Sequence, residues 1–181
     1  ADFMNLPQYS NLFEDPTKEK TLRVVCMFNG TLGNLSSELR FVRHSLRALK
    51  KGDLFLVHVF LGFAPPNKPN EIRDREPLFQ VANQIALESW LRGPFERHRR
   101  EMKSIRFEYL LKQNTTSTFP NSYTMEMQAL VNEEARFTVL EMHRYEVDSF
   151  IGTFVQEGFK MISGQRYGYK DKRLVCLFAK E

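Results

Sequence analysis

The stretch Arg23-Val24-Val25-Cys26-Met27-Phe28-Asn29-Gly30-Thr31-Leu32-Gly33-Asn34-Leu35-Ser36-Ser37-Glu38 constrains this chain most. A β-branched apolar run stops abruptly in a turn with two glycines, and a helix start follows at once. That pattern reads as a buried parallel strand over residues 22–28, a tight loop at its carboxyl end, and a helix N-terminus. In open α/β sheets this edge is where ligands bind. Asn29, Gly30, Thr31, Gly33 and Asn34 offer small side chains, bare amides and amide donors there. The bland alternative is an ordinary strand-to-helix connection, which most α/β loops are.

The reading in order along the chain is α/β with an inserted antiparallel section. Ser36 or Ser37 is the expected N-cap, and Glu38 sits favourably in the first helical turn. Leu39, Val42, Leu46 and Leu49 recur at helical spacing and are expected to face a sheet, over about four turns. Gly52 suits the position just past the helix end. Residues 54–60 read as a second buried strand, which completes a βαβ unit with a right-handed crossover. His58 lies in that apolar strand and reads as a core histidine. Residues 62–70 are Pro-rich loop. A helix from Pro77 to Trp90 is expected to use Leu78, Val81, Ala82 and Ile85 as its apolar face, with Gly93-Pro94 as the break. Residues 95–102 then form a short basic helix.

From Ser104 the apolar period changes to two. Ile105, Phe107, Tyr109 and Leu111 mark one antiparallel strand. Tyr123, Met125, Met127, Ala129 and Val131 mark another, and a turn at residues 132–135 leads to Phe137 and Val139. Val147, Phe150, Ile151 and Phe154 mark a further helix, ended by Gly158. Two closing strands flank a turn at residues 168–171.

Composition narrows the function. The 181 residues suit one domain, and the formal charge of +4 is a mild basic excess. The cluster Arg92, Arg97, His98, Arg99, Arg100 and Lys103 is the densest positive patch. It lacks a nucleic-acid reader motif and interleaves only Phe95, so a solvated face is its plainer reading and nucleic acid is not an expected partner. Cys26 and Cys176 each lie in an apolar run, which implies buried reduced thiols and a cytoplasmic protein rather than a disulfide scaffold or a metal site. No apolar run is long enough to span a bilayer, so no membrane association is expected.

This order resembles the carboxyl half of a class I S-adenosylmethionine-dependent methyltransferase. The expected fold is therefore the C-terminal part of a Rossmann-like methyltransferase sheet, with an inserted antiparallel β subdomain and an antiparallel last strand. Residues 1–63 and 140–181 would be core, and 64–139 an inserted substrate or lid subdomain. More narrowly, residues 28–34 resemble the Gly-Gly-Thr-Ile-Gly-Asn segment of the histidine-specific Nα-methyltransferases of ergothioneine biosynthesis. Ala1-Asp2-Phe3 is similar to that family's acidic-aromatic pair, Glu126-Met127 to its Glu-Met pair, and Glu141-Met142-His143 stands at its Glu-x-Ser.

The resemblance implies S-adenosyl-L-methionine as cofactor, contacted by Asp2, Phe3, Asn29, Gly30 and Thr31. It implies a small-molecule substrate contacted by Asn34, Met127, Glu141 and His143. Asn29 replaces a usual glycine, and His143 replaces the serine that helps read imidazole. A site with different polar groups rejects the original substrate, so an amine of another small amino-acid-like molecule is the expected acceptor. The family's first three strands and Gly-rich cofactor loop have no counterpart here. The chain is accordingly expected to be part of a longer enzyme and inactive alone. An exposed sheet edge beside residues 22–28 would invite homodimerisation. The rival reading is a non-catalytic methyltransferase-like binding or scaffold domain.

Overall fold

A computed structural model describes residues 6–8, 22–35, 37–62, 79–97, 104–113, 119–168 and 171–181. It is a mixed α/β structure with two sheets. The first sheet has the order β1-β2-β7-β6. Strand β1 (Val24–Met27) pairs parallel to β2 (Leu54–Phe60), and β7 (Arg173–Lys180) lies antiparallel between β2 and β6 (Phe159–Tyr167). The second is a three-stranded antiparallel sheet of β3 (Ile105–Gln113), β4 (Tyr123–Val131) and β5 (Ala135–Arg144). Strand β5 is continuous through residues 139 and 140.

Several elements differ from the sequence reading. Strand β1 is shorter than residues 22–28, because Leu22, Phe28 and Asn29 lie beyond its ladder with β2. Cys26 is exposed, not buried, since alternate residues of β1 point away from the core. Cys176 is buried, and burial pushes its thiol up to about 11.

The crossover helix is irregular. Its α-helical start, α1 (Glu38–Arg40), continues as a π turn (Phe41–Ser45) and a 3-10 turn (Leu46–Ala48). The wider π turn brings Phe41 as well as Val42 inward, while Leu39 is only half-buried. Ser37 is the N-cap but makes no side-chain cap bond. Gly52 lies in the following turn rather than at the helix end, with φ of 89° and its N–H on the Lys180 carbonyl. Asp53 anchors that turn. Its carboxylate accepts from the Arg23 side chain, the Arg23 N–H and the Lys50 N–H.

Helix α2 (Val81–Glu96) runs through Gly93-Pro94 instead of breaking there. Its inward residues are Leu87, Leu91 and Phe95, spaced by four, and they pack on Phe107, Met127 and Ala129. Val81, Ala82 and Ile85, the expected apolar face, are exposed. Of the expected separate basic helix, Phe95 and Glu96 belong to α2. His98, Arg99, Arg100 and Lys103 lie outside the described residues, as do Pro77 and the Pro-rich segment.

Helix α3 (Val147–Gln156) is capped by Glu146, which accepts from the N–H groups of Asp148 and Ser149. It drives Phe150 and Phe154 into the main core. There Phe154 stacks on Phe178 at 4.5 Å and on Phe55 at 5.5 Å. The crossover segment supplies Phe41, Val42 and Leu46 to the same cluster. A bridge between Leu61 and Tyr145 joins the two sheets, carried by Tyr145 N–H to Phe60 O and Gly62 N–H to Tyr145 O. Among the described residues no helix is long and apolar enough to cross a membrane.

Candidate functional site

The carboxyl ends of β1 and β2 lie side by side, because the two strands are parallel and in register. The loop after β1 turns sharply there. Asn29 and Gly30 both take left-handed backbone angles, φ 55° and 73°. A Cβ at Gly30 would stand 2.7 Å from the Phe60 ring, so only glycine fits. Residues Thr31–Asn34 then form one 3-10 turn.

The amides of Asn29, Thr31 and Gly33 are not bare, contrary to the sequence expectation. Asn29 N–H donates to His58 Nδ1 at 3.0 Å. Thr31 N–H goes to Phe28 O, Gly33 N–H to Gly30 O and Leu35 N–H to Leu32 O. The Thr31 hydroxyl also donates to Phe28 O. Four of the loop's amides are thus committed within the fold. What it presents outward is the half-exposed Phe28 ring and the exposed residues Asn29 and Asn34.

His58 is buried and holds this loop. With Nδ1 accepting from Asn29, the proton sits on Nε2, which finds no partner. The ring lies 5.3 Å from Phe60 and 5.6 Å from Tyr167. Burial and then the Arg173 charge hold its pKa below the ordinary histidine value. It is a core histidine that shapes the loop.

Beneath the loop is a buried polar cluster. Gly33 lies directly over β5, where a Cβ would meet His143 Cβ and Tyr145 Oη at 3.1 Å each. His143 Nδ1 donates to Glu38 Oε1 at 2.7 Å, and the Tyr145 hydroxyl donates to the same oxygen. Glu38 is fully buried, and its Oε2 has no partner among the described residues. His143 is 6% exposed; its Nε2 has no hydrogen bond among the described residues and lies 3.7 Å from Glu141 Oε1. Burial pushes the His143 pKa down, but the hydrogen bond and charge of Glu38, then Glu141, outweigh it and raise it above the ordinary value.

The same face of the three-stranded sheet carries a second buried carboxylate. Glu126 stands opposite Glu141 in the ladder. It is ion-paired to Lys112, accepts from Thr138 Oγ1 at 2.6 Å, and is bonded by Gln128. Burial pushes its pKa up, yet these donors outweigh it and hold it below the usual carboxylate range.

The structure thus gathers part of the expected set. Asn29, Gly30, Thr31 and Asn34 share the loop, and Glu141 and His143 lie under its far end. Met127 is fully buried against α2, on the sheet face opposite Glu126, Glu141 and His143. Asp2 and Phe3 lie outside the described residues. Three organising positions are not marked in the sequence: Glu38 as a buried partner, Tyr145 beside it, and His58 as the loop's anchor. Only the 143–145 spacing, which puts two polar rings on one strand face, signals such a cluster. Among the described residues no His/Cys/Asp/Glu cluster suits a metal ion.

No protein-family model matches the sequence, and no curated protein matches it. The chain is similar in structure to the CcbJ methyltransferase from Streptomyces caelestis, with TM-score 0.44 and 10% identity over 100% of this chain and 62% of that one. It is similar to an S-adenosylmethionine-dependent methyltransferase from Clostridium acetobutylicum, with TM-score 0.40 and 8% identity over 92% of this chain and 63% of that one. It is also similar to the glycopeptide N-methyltransferase MtfA in complex with S-adenosyl-L-homocysteine. There the TM-score is 0.43 with 11% identity, over 91% of this chain and 57% of that one. The chain therefore spans less than two thirds of the length of each.

Proposed function

We propose that this chain is the carboxyl-side part of an S-adenosyl-L-methionine-dependent methyltransferase that transfers a methyl group to an amine of a small amino-acid-like molecule. One observation carries the reading. A buried Glu38–His143–Tyr145 cluster, with Glu141 beside it, sits under the loop at the carboxyl ends of two parallel strands. Fold alone does not decide function, but this placement and chemistry suit an amine-binding pocket at a ligand-binding edge.

The described residues fit part of such a cofactor. Phe28 offers an exposed ring for a purine, and Asn29 and Asn34 offer exposed carboxamides. The loop's spent amides suit a ligand without phosphates. Asp2 and Phe3 are assigned to the adenine by resemblance, and Asn29, Gly30 and Thr31 to the loop wall. When bound, this cofactor supplies an electrophilic methyl group on a sulfonium. The protein's share is to align the acceptor nitrogen, which positioning alone accelerates greatly. Asn34, Glu141 and His143 hold the substrate around its acceptor amine. With His143 in place of serine, histidine is not the preferred acceptor.

The inserted segment 64–139 acts as a substrate wall, with Met127 as part of its support. The sheet is extended at the β1 edge, by preceding strands or by a second copy of the chain. The test is transfer of labelled methyl from S-adenosyl-L-methionine to a panel of small primary amines, with the chain expressed together with its upstream reading frame. Labelled N-methyl product from at least one amine is expected. A folded protein that methylates none would favour a non-catalytic binding domain.

A further inference from the structure

We infer that His143, oriented by Glu38, is the proton acceptor that neutralises the substrate ammonium before methyl transfer. The inference rests on the methyltransferase reading above and deepens it. An ammonium has no lone pair, so an amine substrate must lose a proton before it attacks a methyl group. The structure supplies a group arranged for that step.

An ionised carboxylate only accepts, so Glu38 fixes the proton of a neutral His143 on Nδ1. The lone pair then resides on Nε2. That atom is buried and has no hydrogen-bond partner among the described residues. An unsatisfied buried nitrogen is costly for a purely structural residue, and it is the atom a base must keep free. Glu141, 3.7 Å away and 44% exposed, connects Nε2 to solvent and attracts a cation toward it. The carboxylate-imidazole pairing is the general arrangement that orients a histidine base.

The groups facing His143 come from several elements. Glu38 faces it from α1, Glu141 from β5, Tyr145 from the position just past β5, and Thr124 stands opposite it on β4. Arg144 touches its carbonyl oxygen at 3.5 Å. Two carboxylates against one guanidinium make the site favour cations, as an ammonium requires.

The step balances. The substrate ammonium gives one proton to Nε2, leaving a neutral amine and an imidazolium held between Glu38 and Glu141. The amine lone pair forms the new N–C bond to the methyl group as the C–S bond breaks, and that pair stays on sulfur. The product leaves as an N-methylated ammonium, and the imidazolium returns its proton to water.

The test compares His143→Asn with wild type in the protein that carries its upstream reading frame. Asparagine keeps a donor near the Nδ1 position for Glu38 but has no base at Nε2. The readouts are kcat/KM against pH for the best primary amine, S-adenosyl-L-homocysteine binding, and the nitrogen NMR signals of the His143 ring. Wild type is expected to lose activity as pH falls through a value above 6.5. His143→Asn should be about 100-fold slower or more near neutrality. It should lack that limb and approach wild type once pH exceeds the substrate's own pKa. Its S-adenosyl-L-homocysteine affinity should be unchanged, and the wild-type neutral ring should carry its proton on Nδ1. Three results overturn the inference while leaving the methyltransferase reading standing: an Asn variant that keeps the acid limb, one slowed equally at every pH, or a proton on Nε2 in the neutral ring. A wild type that methylates no amine overturns both.

Discussion

His143 Nδ1 lies 2.7 Å from Glu38 Oε1, although the two residues are 105 positions apart. The contact pins the start of the crossover helix to the last strand of the antiparallel sheet. It thereby fixes the loop at residues 28–34 over β5. Both groups are almost wholly shielded from water, so neither tolerates loss of the other.

Glu38→Ala is expected to cost about 3–5 kcal/mol, the range for removing one partner of a buried charged pair. It leaves both the His143 N–H and the Tyr145 hydroxyl without an acceptor. Glu38→Gln keeps the shape and an acceptor oxygen and should cost clearly less. Urea denaturation of the two variants checks the order, and equal losses would contradict it.

Stability should also record the two histidines in opposite ways. His143 has a folded pKa raised above its ordinary 6.5. Its contribution is therefore complete below pH 6.5 and is lost as pH rises through the folded value. His58 has a folded pKa below 6.5. The native state is fully stable with respect to it above pH 6.5 and weakens as pH falls below that. Unfolding free energies of wild type, His143→Gln and His58→Gln across pH 5 to 9 should separate the two slopes (about 1.4 kcal/mol per unit of pKa difference).

Gly62 seals the junction between the sheets. A Cβ there would lie 2.2 Å from the Tyr123 hydroxyl, and the Gly62 N–H is already committed to Tyr145 O. Gly62→Ala should destabilise by about 1–3 kcal/mol through overpacking. Trimming the ring with Tyr123→Val in the Gly62→Ala background should recover part of that loss. Thermal melts of the single and double variants measure the coupling.

The turn after β1 is strained by design of the chain path, and substitutions there should differ sharply. Asn29→Gly leaves the backbone bond to His58 intact and suits φ 55°, so its effect should stay within about 0.5 kcal/mol. Gly30→Ala meets both a positive φ and the Phe60 ring, and should cost about 1–3 kcal/mol. Denaturant midpoints of the two variants provide the check.

Much of the architecture is legible in local pattern. Strand β2 matches its apolar run, β4 its period of two, and α3 its Phe150 and Phe154 spacing, because each signal is local and strong. The antiparallel last strand follows from the short turn before it. Tertiary packing overrode local cues elsewhere. Helix α2 chose Leu87, Leu91 and Phe95 over Val81 and Ile85 because those residues meet Phe107 and Met127 across the sheet. Glu38 reads as a helix-start charge in the sequence, and nothing near it announces a partner on β5. The loop's glycines are likewise visible, but the destination of its amides depends on His58, a strand away. The loop itself is therefore legible in the sequence, and the buried partners that organise it are not.

The most direct measurement is calorimetric titration of S-adenosyl-L-homocysteine into the protein expressed with its upstream reading frame. The expected result is saturable binding at one site per chain that survives excess ATP, because the amides of Asn29, Thr31, Gly33 and Leu35 are already committed within the fold. A folded protein that takes up no S-adenosyl-L-homocysteine would contradict the methyltransferase reading.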